Sequence, residues 1–312
     1  MQSLLINYQC IENIMKILLT GADGQVGYEL WRTLQHLGEV IPTTRNGREI
    51  DGMPTLSLNL ANSADIEKKV NAIQPDLVCN AAAYTAVDNA ENDQDMAYAI
   101  NAETPAIFAK YAVITDTRLV HYSTDYVFSG NGSKPWTEDD FCDPQSTYGR
   151  TKLQAEQNII DSGCQHMIFR TSWVFSDRGQ NFVKSMLRLA QEKTELNIVD
   201  DQVGSPTLAS SLAMATTMTL MNPVDGLYHM TSSGKTSWCG FARRIFSQAC
   251  KINMIENAPI VNSITTDQYP TPATRPKYSV LDCNKLKNTF DISMPNWQTA
   301  LQLCMQNIRR QA

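Results

Sequence analysis

A glycine-rich segment near the start of the chain constrains the fold more than any other feature of the sequence. Residues 21–27 follow the pattern Gly-x-x-Gly-x-x-Gly, with an apolar run before them and helical periodicity after them. Gly21 permits a tight turn, Gly24 lets the backbone approach a pyrophosphate, and Gly27 allows a helix to pack closely on a strand. The free N–H groups at the start of such a helix attract phosphate. The expected dinucleotide contacts in this turn are Gly21, Gly24, Gln25, Val26 and Gly27.

The first half of the chain alternates short apolar runs with helical patterns. This alternation predicts an α/β fold built on a Rossmann-type doubly wound parallel sheet. We expect strands at 16–20, 40–44, 76–80, 118–123 and 166–170. We expect helices at 25–37, 64–73, 93–111 and 147–160. Residues 15–172 would then form an NAD(P)-binding Rossmann domain.

The pattern changes in the second half of the chain. We expect helices at 181–192, 208–221, 236–249 and 295–309, a short strand at 226–230 and a proline-rich loop at 269–276. Residues 173–312 would form mainly a smaller mixed α/β substrate-binding domain, with some segments returning to the Rossmann domain. It would cover the C-terminal edge of the sheet, where open α/β folds bind ligands. Residues 1–14 precede the first strand as an extension that we expect to be poorly ordered.

Tyr148 and Lys152 form a second informative pattern, because they stand four residues apart on a predicted helix. An α-helix turns once in about 3.6 residues, so the two side chains share one face. A neighbouring cation favours the phenolate, and Lys152 is therefore expected to lower the pKa of Tyr148. Such a pair suits proton transfer to a carbonyl oxygen while a nicotinamide delivers hydride.

Charge and cysteine content bound the partners of the chain. The formal net charge is −6, and an acidic balance argues against nucleic acid, which needs a basic face. The eight cysteines show no Cys-x-x-Cys pair or zinc-ligand spacing, so we expect no metal and reduced thiols in a cytoplasmic protein. No apolar run approaches the roughly 20 residues that span a bilayer, so we expect no membrane partner.

The end of the second predicted strand bears on the choice of cofactor. An acidic residue at this position usually binds the ribose 2′-hydroxyl of NAD, whereas arginine suits the 2′-phosphate of NADP. The segment 43–45 ends in Arg45 and contains no acid. We therefore expect NADPH, with NADH as the possible alternative. The competing interpretation is that Arg45 is a solvated loop charge.

Four further segments carry a resemblance to a known family. They are residues 80–91 (Asn-Ala-Ala-Ala-Tyr-Thr-Ala-Val-Asp-Asn-Ala-Glu), 121–128 (His-Tyr-Ser-Thr-Asp-Tyr-Val-Phe), 169–173 (Phe-Arg-Thr-Ser-Trp) and 275–279 (Arg-Pro-Lys-Tyr-Ser). With the glycine turn and the Tyr/Lys pair, they make the chain resemble the extended short-chain dehydrogenase/reductase superfamily. Within it, the chain is similar to the dTDP-4-dehydrorhamnose reductases, from residue 15 to about residue 309.

The resemblance implies a reaction and roles for matching residues. The expected enzyme reduces the C4 ketone of dTDP-4-dehydro-L-rhamnose to dTDP-L-rhamnose, the last step of dTDP-L-rhamnose biosynthesis. Tyr148 would donate the proton, Thr124 would donate a hydrogen bond to the carbonyl, and Lys152 would hold the nicotinamide ribose. Asp125 would contact the sugar, and Trp173 would pack against the deoxysugar.

The resemblance also implies the rest of the cofactor site. Ala83, Tyr84 and Thr85 would line the path from adenosine to nicotinamide. Asn59 and Leu60 would lie beside the adenine, with Asn59 in place of the more usual Asp. Outside the glycine turn, the expected cofactor contacts are Arg45, Asn59, Leu60, Ala83, Tyr84, Thr85, Tyr122, Tyr148 and Lys152.

The diphosphate and the oligomeric state complete these expectations. Arg275 lies in the proline-rich loop and is expected to bind the diphosphate, because guanidinium binds phosphate bidentately. In some relatives, acids on the helix near 208–221 bridge a dimer through a metal, but here that helix carries Ser210 and Ser211 and no acid. We therefore expect a monomer or a homodimer without a bridging metal.

Two alternative functions remain open from the sequence. One is another sugar-nucleotide 4-keto reductase, or an epimerase. The other is a non-catalytic NADP-binding regulatory subunit of methionine adenosyltransferase, a class that keeps the glycine turn.

Overall fold

The computed structural model describes residues 14–311 of the chain. Its strands are β1 Lys16–Thr20, β2 Glu39–Thr44, β3 Leu56–Ser57, β4 Leu77–Asn80, β5 Arg118–Thr124, β6 His166–Thr171, β7 Val174–Phe175, β8 Glu195–Val199, β9 Val203–Gly204, β10 Thr207–Leu208, β11 Gly226–His229, β12 Thr236–Ser237 and β13 Ile260–Ile264. Its helices are α1 Gln25–Leu34, α2 Ser63–Ile73, α3 Val87–Ala90, α4 Gln94–Tyr98, α5 Thr104–Thr115, α6 Thr147–Ser162, α7 Phe182–Glu192, α8 Ala209–Met221, α9 Trp238–Lys251, α10 Asn284–Phe290 and α11 Trp297–Gln311. The expected poor order of residues 1–14 concerns a segment that, except for Ile14, lies outside the described residues.

A parallel sheet forms the centre of the described chain. Within residues 14–311 it contains seven strands in the order β11-β6-β5-β4-β1-β2-β3. The winding reverses between β1 and β4, and the carboxyl ends of strands leave a crevice at such a switch point. The Rossmann-type doubly wound parallel sheet predicted from the sequence is therefore confirmed.

Both faces of this sheet are covered by helices, which explains why its central strands are apolar almost throughout. Ile17, Leu18 and Leu19 of β1 are fully buried. Ile17 and Leu19 face a core that includes residues of α1 and α8. Leu18 faces the opposite core, to which α2 and α5 contribute.

The second half of the chain forms a smaller layer and also returns to the main sheet. Strands β8 and β13 pair in parallel, and α7, α9 and α11 pack into a core around Phe241 and Trp297. Strand β11 instead pairs with β6 and completes the central sheet. The domain boundary near residue 172 stays a prediction.

The helix predicted over 93–111 is wrong as a single element. It consists of α4, a π-helical turn at Ala99–Glu103 and α5, which continues to Thr115. Pro105 has no N–H to donate to the preceding turn, and its ring crowds that turn. The side chain of the preceding Thr104 ties this turn to a distant segment, because its Oγ1 donates to the carbonyl of Leu60 (2.6 Å) and also contacts that of Ala99 (3.1 Å).

Other differences from the predicted elements are smaller. Helix α1 ends at Leu34 rather than at residue 37. Helix α9 begins at Trp238 rather than at residue 236, because Thr236–Ser237 pair with β9. Strands β8 and β13 were not predicted. Their residues are largely half-exposed, and 65 positions separate partners such as Asn197 and Asn262.

Candidate active site

A cleft of about 670 Å³ lies at the carboxyl ends of β1, β4 and β5. The structure brings into this cleft most of the residues that the sequence assigned to the cofactor. They are Gly21, Gly24, Gln25, Val26, Arg45, Asn59, Leu60, Ala83, Tyr84, Thr85, Tyr122, Tyr148 and Lys152. Gly27 does not line the cleft. A Cβ at this position would lie 2.0 Å from the carbonyl oxygen of Gly21, so its role is close packing.

The glycine turn has the geometry of a phosphate cradle. Gly21 adopts a φ of 67°, and a Cβ there would lie 2.8 Å from the backbone of Ala82. Gly24 precedes α1 in an extended conformation and donates its N–H to the carbonyl of Gly21 at 2.9 Å. No side chain caps the start of α1 within the described residues. Its N–H groups therefore remain available to an anion, which fits the pyrophosphate of a dinucleotide.

Two arginines, Arg45 and Arg48, line the cleft just after β2, but they differ in their partners. Arg48 pairs with Asp23 at 2.9 Å. Arg45 lines the cleft and forms no ion pair within residues 14–311. The guanidinium of Arg45 is therefore the one available to a 2′-phosphate.

Tyr148 and Lys152 lie on α6, and the start of this helix is held in place locally. Ser146 caps it by accepting a hydrogen bond from the N–H of Gly149 at 3.1 Å. Lys152 is 2% exposed, and its Nζ donates to the carbonyl of Tyr122 and contacts His121 Nε2 at 3.0 Å. The amine is thus anchored to β5 at the floor of the cleft.

The pKa of Tyr148 is raised well above its ordinary value, so the predicted direction of its shift is wrong. Burial is the largest cause, because it disfavours the phenolate, and a hydrogen bond with Thr124 only partly opposes it. Lys152 is directed at His121 and Tyr122 rather than at the phenol. Tyr148 is therefore held in its protonated form, which suits a proton donor.

Burial acts on Lys152 in the opposite sense. It lowers the pKa of Lys152 to about 7, and the negative charge of Glu156 opposes this shift. Glu156 is in turn paired with Arg170 at 2.6 Å, and both side chains are buried. The amine can therefore change its charge near neutral pH.

Thr124 and Asp125 lie side by side at the end of β5. Thr124 Oγ1 donates to Asp125 Oδ1 at 3.0 Å and accepts from the N–H of Tyr126 at 3.2 Å. Burial raises the pKa of Asp125 to about 7, while the Ser279 and Thr124 hydroxyls act in the other direction. Within residues 14–311, Asp125 Oδ2 has no hydrogen-bond partner. A buried carboxyl with a free oxygen can bind a sugar hydroxyl.

Trp173 is held in a strained and crowded position. Its φ of 48° lies in the left-handed region, which is unfavourable for a bulky side chain. The ring stacks on Trp238 with centroids 3.6 Å apart. A Cβ at Gly204 would lie 2.6 Å from the ring atom Cε2. These neighbours leave limited ring surface for a sugar, and the sugar contact of Trp173 stays a prediction.

Arg275 reaches from the proline-rich loop towards the same region. Its Nη2 pairs with Asp88 Oδ2 at 2.6 Å, and its Nη1 donates to the hydroxyl of Tyr126 at 3.3 Å. The Tyr126 ring packs edge-on against Tyr148, with centroids 5.8 Å apart. A guanidinium is therefore present one side chain away from Tyr148.

The described residues also bear on metals and membranes. Across residues 14–311, no group of three or more His, Cys, Asp or Glu side chains is arranged to hold a metal ion. No helix in the same range combines the length and apolar character that crossing a membrane requires. The seven described cysteines are free thiols.

The sequence as a whole matches known proteins. A family model described as RmlD substrate binding domain matches residues 15–310. The chain is 41% identical over 293 residues to a dTDP-4-dehydrorhamnose reductase of Salmonella typhimurium, covering 92% of this chain and 96% of the relative. A reductase of the same name from Burkholderia thailandensis is 42% identical, over 95% of this chain and the whole relative. The chain belongs to the dTDP-4-dehydrorhamnose reductase family. The resemblance stated from the sequence is therefore confirmed.

Solved structures of the dTDP-4-dehydrorhamnose reductase family have the same fold. The enzyme of Clostridium acetobutylicum superposes with a TM-score of 0.86 at 38% identity, covering 95% of this chain and all of that chain. The enzyme of Bacillus anthracis, solved in complex with NADP, has a TM-score of 0.85 at 32% identity, covering 94% and 99%. The UDP-glucose 4-epimerase of Thermus thermophilus is 18% identical and shares the fold alone.

Several residues around the dTDP-4-dehydrorhamnose reductase site were not assigned from the sequence. Asp88 holds Arg275, and Trp238 stacks on Trp173. Asn101 lies in the π-helical turn and bonds to the N–H of Tyr84 at 2.8 Å. A π-helical turn within an α-helix is frequently a functional feature, and Pro105 was the available signal for it.

Proposed function

We propose that this protein reduces the C4 ketone of dTDP-4-dehydro-L-rhamnose with NADPH, which forms dTDP-L-rhamnose and NADP⁺. The observation that carries the proposal is a protonated, half-buried Tyr148 that shares α6 with Lys152 at the floor of a cleft with a phosphate cradle. The names of relatives about 40% identical support the choice of substrate.

The proposed roles follow from the positions of the side chains. NADPH supplies the hydride to C4 when it is bound in the cleft. Tyr148 donates its phenolic proton to the C4 oxygen, and Thr124 stabilises the developing negative charge on that oxygen by turning its single hydroxyl hydrogen from Asp125 to it. Lys152 holds the nicotinamide ribose and contributes positive charge. Asp125 and Arg275 bind the sugar and the diphosphate.

The reaction can be tested directly with purified protein. We expect NADPH absorbance to fall when dTDP-4-dehydro-L-rhamnose is generated in the same solution, and dTDP-L-rhamnose to accumulate in equal amount. A reaction without the sugar nucleotide is the control. NADPH binding without oxidation would contradict the proposed reaction, and a different reduced sugar would change the proposed substrate.

Cofactor preference depends on Arg45 in this proposal. We expect Arg45→Asp to lower the ratio of kcat/KM for NADPH to that for NADH by roughly tenfold or more, since hydrogen bonds to charged groups contribute about 1.5–3 kcal/mol. Arg48→Ala is the matched control, because Arg48 already pairs with Asp23, and we expect a smaller change in the ratio. Equal ratios in wild type and Arg45→Asp would show that Arg45 does not bind the 2′-phosphate.

The composition of the chain bears on its partners and on its location in the cell. A net charge of −6 supports a small-molecule partner rather than nucleic acid. We propose a cytoplasmic monomer or homodimer that needs no metal. Residues 15–172 would bind the cofactor, and residues 173–312 would bind mainly the substrate.

A further inference from the structure

A chain of buried polar groups connects Lys152 with the glycine turn. Lys152 Nζ lies 3.0 Å from His121 Nε2, and His121 Nδ1 lies 3.1 Å from the side-chain amide of Asn80. The other end of this amide accepts a hydrogen bond from Thr20 Oγ1 at 2.7 Å. Thr20 Oγ1 in turn accepts from the N–H of Ala82 at 3.1 Å. All four side chains are at most 2% exposed.

The strand register explains why these side chains meet. Thr20 on β1 is the direct neighbour of Asn80 on β4, and Asn80 is the direct neighbour of His121 on β5. Directly paired residues of adjacent strands point to the same face of a sheet. The chain therefore crosses three neighbouring strands at their carboxyl ends and stops beside Gly21.

Lys152 depends on this chain for its position. A lysine ammonium has three donors and no acceptor. Two groups of β5 contact its Nζ: the backbone carbonyl of Tyr122 and the ring nitrogen Nε2 of His121. Of these two acceptors, His121 alone is a side chain that substitution can remove.

Donor and acceptor rules link the charge of Lys152 to Asn80. Burial and the Lys152 charge hold the pKa of His121 well below its ordinary value, so the imidazole is neutral, with one donor and one acceptor. If Lys152 is an ammonium, it donates to Nε2, and Nδ1–H must then face the amide oxygen of Asn80. If Lys152 is a neutral amine, Nε2–H donates to it, and Nδ1 accepts from the amide nitrogen. The two patterns differ by a half-turn of an amide of nearly unchanged shape.

We propose that His121 and Asn80 are positioning residues that hold Lys152 in the cofactor cleft and couple its charge to the orientation of the Asn80 amide. The proposal rests on the role proposed above for Lys152 beside the cofactor. It assigns a function to the His of the segment 121–128 and to the Asn that opens the segment 80–91.

Asp125, at the end of β5, also has a pKa of about 7, whereas the remaining ionisable groups around Lys152 keep their charge near neutral pH. On α6, Tyr148 stays protonated, and Glu156 is paired with Arg170 of β6. On β5, His121 stays neutral. The pH titrations are therefore made in an Asp125→Asn background, which removes this second titrating group, so that a change in NADPH affinity near neutral pH reports on Lys152.

The first test compares two substitutions of His121 by NADPH binding, measured as a fluorescence titration without sugar substrate. The amide oxygen of His121→Gln can replace Nε2 and accept from Lys152, whereas the shorter His121→Asn reaches only Asn80. We expect His121→Asn to weaken NADPH binding by about tenfold, the effect of losing a hydrogen bond to a charged group, and His121→Gln to bind within about threefold of wild type.

Thr117→Val is the matched control. Thr117 Oγ1 donates to the carbonyl of Pro75 at 2.7 Å and is buried at the opposite end of β5. This variant loses a buried hydrogen bond without touching Lys152. We expect a lower melting temperature and unchanged NADPH affinity. Equal NADPH affinities in His121→Asn, His121→Gln and Thr117→Val would overturn the positioning role.

The second test measures coupling and replaces Asn80 by the isosteric Asp. The new carboxylate accepts a hydrogen bond from Nδ1–H of His121, which leaves Nε2 to accept one from the ammonium of Lys152. The negative charge of the carboxylate also favours the ammonium form of Lys152. We expect the pH midpoint of NADPH binding to rise by about one unit in Asn80→Asp. A midpoint equal to that of Thr117→Val would overturn the coupling.

These tests are separate from the test of the proposed reaction. A wild-type protein that binds NADPH but does not reduce the sugar nucleotide would defeat the proposed reaction, while the binding measurements on His121 and Asn80 would still decide this inference. A wild-type protein that fails to bind NADPH would overturn both.

Discussion

Tyr148→Phe is expected to lower kcat roughly 100- to 10,000-fold, the usual contribution of a positioned general acid. The substitution removes one oxygen atom and keeps the half-buried ring, so the fold and the cleft should persist. The phenol is held protonated by burial, and its loss leaves the C4 oxygen without its donor. NADPH affinity is expected to stay within about threefold of wild type, because the proposal assigns the ribose contact to Lys152. Steady-state kinetics and a fluorescence titration measure the two quantities.

Tyr126→Phe is the comparison for this result. The Tyr126 ring packs edge-on against Tyr148, but its hydroxyl contacts Arg275. Losing that hydroxyl should disturb diphosphate binding and raise KM for the sugar nucleotide more than it lowers kcat. If Tyr148→Phe retained most of its kcat, or if both variants lost kcat equally, Tyr148 would not be the proton donor.

Arg170→Met is expected to reduce the free energy of unfolding by about 3–5 kcal/mol. The side chains of Arg170 and Glu156 are 4% and 1% exposed and lie 2.6 Å apart. Methionine fills similar space without charge and leaves the Glu156 carboxylate buried with Ser123 as its remaining contact. Removing one partner of a buried ion pair is costly because the other charge stays desolvated. Urea denaturation followed by circular dichroism measures the loss.

Two further variants distinguish the loss of the buried ion pair from the effect of removing any arginine. Arg188 forms an exposed pair with Glu192, and Arg188→Met should change stability by no more than about 0.5 kcal/mol. Replacing both Arg170 and Glu156 by Met removes the unpaired charge and should recover much of the loss. Equal unfolding midpoints for Arg170→Met and Arg188→Met would contradict the explanation.

Local patterns predicted the central sheet and the cofactor turn successfully. The strand over 16–20, the turn at 21–27 and the helix that follows are determined by neighbours in sequence, because the turn needs glycine at Gly21 and Gly27. The buried strands read as continuous apolar runs, and alternation with helices then implies a parallel sheet. Family motifs named further residues of the cleft, although their individual roles stay predictions.

Local patterns failed where distant residues decide the outcome. The helix predicted over 93–111 is interrupted by a π-helical turn that ends where Thr104 bonds to Leu60, and periodicity carries no information about a contact 44 positions away. Strands β8 and β13 exist because they pair with each other across the sequence. The pKa of Tyr148 rises rather than falls because burial depends on the whole environment of the ring, whereas the spacing to Lys152 describes one neighbour.

The sequence by itself determined the type of fold, the position of the glycine turn and the family of the protein, because each depends on residue identity at short spacing. The tertiary structure alone decided which polar and charged side chains meet. Lys152 forms a hydrogen bond with the side chain of His121 on β5. Arg275 pairs with Asp88, which lies 187 positions earlier in the sequence. Electrostatic and hydrogen-bond interactions act over a few ångströms of space, and the order of strands in the sheet sets those distances.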